Sequence, residues 1–319
     1  MYTNGKLTFL YSESLLHPGA GEGVGAIDLP IQRERITNWP IIQASGIKGA
    51  MRDYFEAKNC KNDELFIVFG PDPNKKDSNG LGNPADNAGA VSFSDAKVLL
   101  FPVRSLKGTF AYVTCPLAIT RLKRDLEALK TVGPDMIDDN FKAASKIGLT
   151  EDNKILLPKN LETHLAITTS GDEKKVILEE LAFSVEKSGK IDQLSEWLKN
   201  KWPSDFPWID IENRLAMVSD DIFRDFVEFS TEVITRNRID DETGTAQQGA
   251  LWNEECLPRE TLMYSLILAG KPLKIIKGCL ETADNVIDYL AKKDGITPDR
   301  IWLGGDQTIG RGILRIHFV

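Results

Sequence analysis

Histidine is scarce in this 319-residue chain, with three residues. They stand at positions 17, 164 and 317, too dispersed for a histidine-based metal cluster. The four cysteines (Cys60, Cys115, Cys256, Cys279) show no C-x-x-C spacing. That argues against a zinc site and fits a reducing cytoplasm. No apolar run approaches the length that spans a bilayer. The N-terminal stretch lacks a basic region and a cleavage site, so no signal peptide is expected. No G-K-[ST] occurs, which excludes a P-loop. Basic residues are outnumbered, 39 Lys and Arg against 47 Asp and Glu, for a net charge of −8. That balance counts against a generally basic nucleic-acid-binding surface and leaves room only for a local basic track. Internal repeats and low-complexity tracts are also missing. What remains is the composition of a soluble globular protein, 42% hydrophobic and 27% charged, long enough for one large domain or two small ones.

The most informative stretch is 17–56. Four glycines alternate at 19, 21, 23 and 25, which frees the backbone for positive φ and for close approach by another molecule. Asp28, Pro30, Arg33 and Arg35 follow. A helix then reads over 45–57, with Ser45 as its expected N-cap and Ile47, Ala50, Met51, Tyr54 and Phe55 on one apolar face. Lys48 and Arg52 project four residues apart from a neighbouring stripe. Two readings fit. Small backbone, a helix N-terminus and two cations make a phosphate site, or the stretch is a glycine-rich loop beside a surface helix with solvated charges. Gly21 to Ala26 matches the dinucleotide fingerprint G-x-G-x-x-A. That fingerprint must open a helix, whereas Pro30 and a polar IQRER run follow here.

Elsewhere, 6–16 reads as a strand with Leu7, Phe9 and Tyr11 on one face and polar residues opposite. Residues 71–89 read as a long mobile loop, 90–115 as two or three strands, and 117–130 as an amphipathic helix. Arg104, Ser105 and Lys107 suit either a solvated hairpin end or a nucleic-acid contact. Trp197, Trp202 and Trp208 suit core or interface packing better than base stacking, because few basic residues interleave. Ser219-Asp220-Asp221 reads as an N-cap with first-turn acids in preference to a metal pair. Residues 232–255 form two strand-like arms around a tip too polar to pack in a core, a hairpin that should project. A helix is expected over 283–293, then strands over 300–303 and 312–319 around a glycine-rich loop.

Several of these stretches resemble one family. HPG at 17–19, IDLPIQRE at 27–34 and SGIKGAMR at 45–52 resemble the N-terminal signature of RAMP-superfamily CRISPR proteins, and the LPIQRE wording resembles the repeated backbone subunit of type III-B (Cmr) effector complexes. SDAKVLLFPVRS, GTFAYVTCP, RIDDETGT with GALWNEECLP, and GGDQTIGRG at 304–312 extend the resemblance through the chain in order.

The resemblance implies an α+β fold, a ferredoxin-like (RRM-type) core with helical insertions and a β-hairpin thumb projecting from 228–256, all in one domain over 1–319. It implies a cytoplasmic antiviral subunit that binds CRISPR guide RNA and cleaves the complementary target single-stranded RNA. The alternatives are an architectural filament subunit without nuclease activity and a stand-alone RAMP processing ribonuclease. Implied partners are further copies of itself in a helical filament, a large polymerase/cyclase-like subunit, a small subunit and a guide-tag-capping subunit. Asp28 is implied as the target-cleaving acid, holding a divalent cation (Mg2+ or Mn2+), with His17 in support. An assisting acid is implied at Glu254, in a register the motif leaves open against Glu255. Arg33, Ser45, Lys48, Gly49, Arg52, Arg236, Arg238, Gly305 and Arg311 are implied RNA contacts. Cys256 stands where the family pattern suggests an aromatic.

Overall fold

The computed structural model describes residues 1–23, 25–71, 88–160, 163–169, 171–203, 210–292 and 296–319. Most of the expected 71–89 loop (72–87) and Trp208 lie outside the described residues. After β1 (Tyr2–Ser12) come β2 (Ile41–Ile42), α1 (Ala44–Ala57), α2 (Asn62–Phe69), β3 (Val91–Phe93), β4 (Ala96–Arg104) and β5 (Phe110–Thr114). An insertion follows, with α3 (Pro116–Leu129), α4 (Asp139–Ala144), β6 (Lys154–Pro158), β7 (Ile167–Thr168), β8 (Lys174–Leu178) and β9 (Leu181–Ser188). It continues through α5 (Gly189–Asn200), α6 (Ile211–Arg214), β10 (Leu215–Met217) and α7 (Asp220–Phe229). The hairpin β11 (Glu232–Ile239) and β12 (Ala246–Cys256) precedes β13 (Leu262–Gly270), α8 (Ala283–Ala291), β14 (Arg300–Trp302) and β15 (Ile313–Phe318).

The middle of the main sheet runs β15-β1-β13-β4, each neighbour antiparallel. With α1 after β1 and α8 after β13, that is the spatial order of a β-α-β-β-α-β ferredoxin-like unit. Beyond β4 the sheet extends through the strands of the insertion, and β14 closes the other end. An isolated bridge joins β12 to Leu29, and strands β11 and β12 form a separate two-stranded sheet. It begins at Glu232, because residues 228–229 still belong to α7.

Both faces of the central sheet are covered. On one, α1 buries Ile47, Met51 and Phe55, as its 3.6-residue period requires. Phe55 stacks on Tyr289 of α8 at 5.1 Å. The other face carries Leu7, Phe9 and Tyr11, packed under Leu122 and Leu126 of α3 and Trp197 of α5. Trp202 lies 5.1 Å from Phe9, and the Trp197 indole N–H donates to Met136 O, so both tryptophans are core. Residues opposite Phe9 on β1 are not solvated as the alternation suggested: Thr8, Leu10 and Ser12 are buried, because α1, α2 and α8 cover them.

An RNA-recognition sheet stacks bases on exposed aromatics of one face. Here the corresponding aromatics are inside. Uncovering them would forfeit about 1.5–3 kcal/mol for each large side chain. Stacking returns about 1–3 kcal/mol per base. With Phe9, Tyr11, Trp197 and Trp202 all at stake, burial wins, and any RNA must run over the edges and loops.

Candidate nucleic-acid interface and acid site

Residues 16–23 and 25–31 lie along the edge of β12 that β11 leaves free. Leu16 and Leu257 exchange backbone bonds at that edge, Leu29 N–H donates to Asn253 O, and Glu255 N–H donates to Leu29 O. Within the loop, Gly19 bridges Ile31, and Ala20 N–H donates to Pro30 O. No helix follows the glycines, so the dinucleotide reading is excluded by geometry as well as by Pro30. Gly23 is needed where it stands, since a Cβ there would meet Ile27 O at 2.7 Å.

Asp28 sits near the tip of this loop, exposed, with Oδ2 accepting from Asn253 N–H at 2.7 Å. Two residues along the same strand, His17 Nδ1 donates to Glu255 O at 2.6 Å. The two side chains therefore moor about 7 Å apart along β12. With Nδ1 as the donor, the neutral His17 ring has Nε2 as its acceptor. His17 O accepts from Gly305 N–H at 3.0 Å, which brings the C-terminal glycine loop to the same place.

Glu254 and Glu255 alternate on β12 and do different things. Glu255 is buried and saturated: it accepts from Arg33 at 2.5 Å, Thr231 at 2.8 Å and Ile31 N–H at 3.1 Å. Arg33 is correspondingly turned inward, giving its other bonds to Asn38 O and Val227 O. Glu254, 4% exposed, accepts from Arg236 at 2.7 Å, from the Trp252 indole at 3.0 Å and from Arg311 at 2.5 Å. Arg236 and Arg311 also reach Asp306, at 2.8 and 2.6 Å. Burial by itself pushes the Glu254 carboxyl up. Bonds from Trp252, Arg311 and Arg236 outweigh it and hold the carboxyl at about 2. Arg236 is raised, mainly by its bond to Asp306. Cys256 is buried beside this network, its sulfur 3.7 Å from Arg311, and burial pushes the thiol up to about 11. The network ties the base of the hairpin to the glycine loop.

A groove of about 430 Å³ lies between that loop and α1, lined by Gly19, Gly46, Gly49, Trp302, Gly304 and Gly305 among others. A Cβ at Gly49 would meet nothing within 4 Å, so this side of α1 is open. Gly304 has φ +87° and passes so close to the His17 carbonyl that a Cβ would collide with it. Ser45 is exposed in the first turn of α1 and does not cap it. Gln43 holds the N-cap position without a side-chain bond, and Asp95 Oδ1 accepts from Ala44 N–H at 2.8 Å instead.

Lys48 and Arg52 do not line the groove. Lys48 is half-buried, with Nζ 3.4 Å from Val91 O, and its pKa is lowered by burial and then by Arg52. Arg52 binds Glu56 at 2.9 Å and Gly70 O at 2.9 Å. Arg238 is exposed on the hairpin. Arg104 pairs with Glu179 and Glu180, and Lys107 with Ala166 O. Ser219 caps α7, accepting from Ile222 N–H.

The structure thus brings Asp28, His17, Glu254, Arg33, Arg236, Gly305 and Arg311 around the base of the hairpin, and leaves Ser45, Lys48, Arg52 and Arg238 outside that cluster. Sequence reasoning missed Asp306 and Trp252 as its partners, and weighed Glu255 only as an alternative to Glu254, not as the partner of Arg33. The alternation of Arg236 on one arm and Glu254 on the other is the signal for a cross-strand pair. Among the described residues no group of three or more His, Cys, Asp or Glu is arranged to hold a metal ion.

A family model of the RAMP superfamily matches residues 9–315. The chain is 36% identical over 317 residues to the CRISPR system Cmr endoribonuclease Cmr4 of Pyrococcus furiosus, covering 97% of this chain and 94% of that one. The crystal structure of oligomeric Cmr4 from Pyrococcus furiosus superposes with a TM-score of 0.69 at 28% identity, covering 99% of this chain and 98% of that chain. A chain of the type III-B Cmr-beta complex bound to cognate target RNA shares the fold, with a TM-score of 0.73 at 23% identity and coverage of 99% and 98%. The chain belongs to the RAMP superfamily, in the Cmr family that the Pyrococcus protein represents.

Proposed function

We propose that this chain is a repeated backbone subunit of a cytoplasmic type III-B CRISPR interference complex, one palm domain that binds guide RNA and cleaves the paired target RNA at Asp28. The observation that carries the chemical part is the contrast in accessibility at one strand edge. Asp28 is an exposed carboxylate fixed through a single oxygen, whereas Glu254 and Glu255 are buried among arginines. A reacting acid has to be both reachable and aimed. Similarity to an endoribonuclease supports the reaction class.

RNA supplies its own nucleophile. The 2′-oxygen attacks the adjacent phosphorus, the bond to the 5′-oxygen breaks, and the proton lost from the 2′-oxygen is balanced by one gained at the 5′-oxygen. Asp28 Oδ1, the oxygen that Asn253 leaves free, orients the 2′-hydroxyl, whose proton passes to solvent. His17 is a positioning residue: its ring holds Glu255 O and its carbonyl holds Gly305 N–H, fixing the root of the loop. Glu254 acts at one remove, keeping Arg236 and Arg311 against Asp306. The exposed backbone at Gly46, Gly49, Gly304 and Gly305 is where the guide backbone runs, and Arg238, exposed on the hairpin, adds positive charge. A single carboxylate fits a hard divalent cation such as Mg2+ or Mn2+, because such ions keep several waters and take one or two carboxylates plus phosphate oxygens. Asp28 would hold it, and it would supply charge stabilisation on the phosphate.

Asp28→Ala in the assembled complex tests this. Target cleavage should vanish while guide and target binding persist, and wild-type products should end in a 2′,3′-cyclic phosphate and a 5′-hydroxyl. Full cleavage by the variant, with assembly intact, would move the chain to the architectural class.

A further inference from the structure

Two exposed apolar surfaces of opposite charge lie at opposite ends of the central sheet. The first is a groove of about 440 Å³ beside the start of the hairpin, between the β8–β9 turn and the end of α7. Leu181 (41% exposed) and Phe229 (75% exposed) supply its apolar surface, and its charged lining residues, Glu179, Glu180 and Asp225, are all acids. Glu228 and Glu232 stand next to lining residues in the chain, and Asp221 lies four residues before Asp225. Of these acids, Glu179 and Glu180 pair with Arg104, and Asp225 and Asp221 with Arg224. The second surface is the segment 271–277, KPLKIIK, with Leu273 (70%) and Ile275 (51%) exposed between Lys271, Lys274 and Lys277. No acid interrupts it.

Strand register sets their separation. Arg104 at the C-terminal end of β4 bonds Glu179 and Glu180 of the groove. β13 runs antiparallel to β4, pairing Leu262 with Leu100 and Tyr264 with Lys97, so its last residue, Gly270, passes beyond the other end of β4. The nine residues of β4 span about 30 Å. One copy therefore cannot close its own basic segment onto its own acidic groove.

We propose that the 271–277 segment of one copy docks into the 179–181/225–229 groove of the next, head to tail. The occupant is a second copy of this chain because each surface carries the complement of the other in both charge and apolar content. Copies with a net charge of −8 repel one another, and a lysine-rich segment on an acidic groove relieves that repulsion at the junction. A contact between two different patches is heterologous and propagates as an open array unless its rotation closes a ring. The assignment rests on the reading above that copies of this chain assemble, and it names the surfaces that do so.

Charge-reversal complementation tests it on the full chain. The groove variant is Glu180→Lys with Asp225→Lys, and the segment variant is Lys271→Glu with Lys277→Glu. Sedimentation velocity is run over a concentration series, with melting curves to establish folding. Each variant alone should need at least about tenfold more protein to assemble than wild type, the effect of about 1.4 kcal/mol per junction. An equimolar mixture should return to wild-type behaviour, because every junction in an alternating array then pairs opposite charges. Phe229→Ser, with the charges intact, should weaken assembly in high salt as well as in low. Variants that assemble like wild type, or a mixture no better than either variant, would overturn the surface assignment. A wild-type chain that stays monomeric with and without guide-length RNA would overturn assembly itself, while leaving the Asp28 experiment to decide the chemistry.

Discussion

Asp28 stands beside Leu29, whose β-bridge partner is Glu254, and the two acids could hardly differ more in their surroundings. Asp28 rests one oxygen on a backbone N–H at the surface. Glu254 is inside, between two guanidinium groups and an indole. Burying a carboxylate costs several kcal/mol, and only close, well-aimed partners offset that. Its carboxyl held at about 2 indicates that here they do. An acid so encased is a fastener for the hairpin and the glycine loop. One that is exposed, aimed and single can meet a substrate.

The sharpest way to break that contrast on the structural side is Arg311→Ala. It strips Glu254 and Asp306 of their most buried cation and should cost about 3 kcal/mol in denaturant unfolding. Arg236→Ala, at a more exposed guanidinium, should cost visibly less. A similar loss should appear with acid. Glu254 is depressed from 4.5 to about 2 on folding, so its contribution is complete above the unfolded value and is lost as pH falls from about 4.5 toward 2. The difference in unfolding free energy between wild type and Glu254→Gln should therefore shrink over that range and be flat from pH 6 to 7.

Part of this was legible in the sequence. The apolar face of α1, the Ser219 cap and the two arms of the hairpin follow from local spacing alone. β13 did not emerge, although it lies between β1 and β4. Its LMYSLILAG is buried on both faces and so lacks the alternation that marks a half-exposed strand. LFIVF at 65–69 reads in the sequence only as a short apolar run; it forms the end of α2, where Leu65, Ile67, Val68 and Phe69 are all buried. The end of α1 was misread because its N–H partner, Asp95, comes from a turn 51 residues away. The inward turn of Arg236 and Arg311 escaped for the same reason: charge is visible in a sequence, its partner is not. The proposal of Asp28 as the reacting acid comes from the family wording around it, and its exposure is seen only in the fold.

Smaller effects sharpen the picture at the groove. Gly304→Ala forces a side chain into positive φ against the His17 carbonyl and should cost about 2 kcal/mol. It should also lower cleavage, because His17 anchors the Asp28 loop. Arg238→Ala, at an exposed cation of the hairpin, should weaken binding of unrelated guide RNAs uniformly, by about threefold, and reduce the salt slope by about one. Deleting 240–247, an exposed tip, should leave stability within about 0.5 kcal/mol while disturbing the spacing of cleavage products.

The two carboxylates can be separated most directly by single-turnover cleavage of target RNA in complexes assembled with Asp28→Asn or Glu254→Gln subunits, compared at equal guide occupancy and pH 7. Asp28→Asn should slow cleavage by at least about 100-fold with melting and occupancy unchanged. Glu254→Gln should lower the melting temperature, yet once assembled should cleave within about fivefold of wild type, in keeping with a structural role. Wild-type rates from Asp28→Asn, or a loss in Glu254→Gln as deep as that in Asp28→Asn with assembly intact, would contradict the assignment.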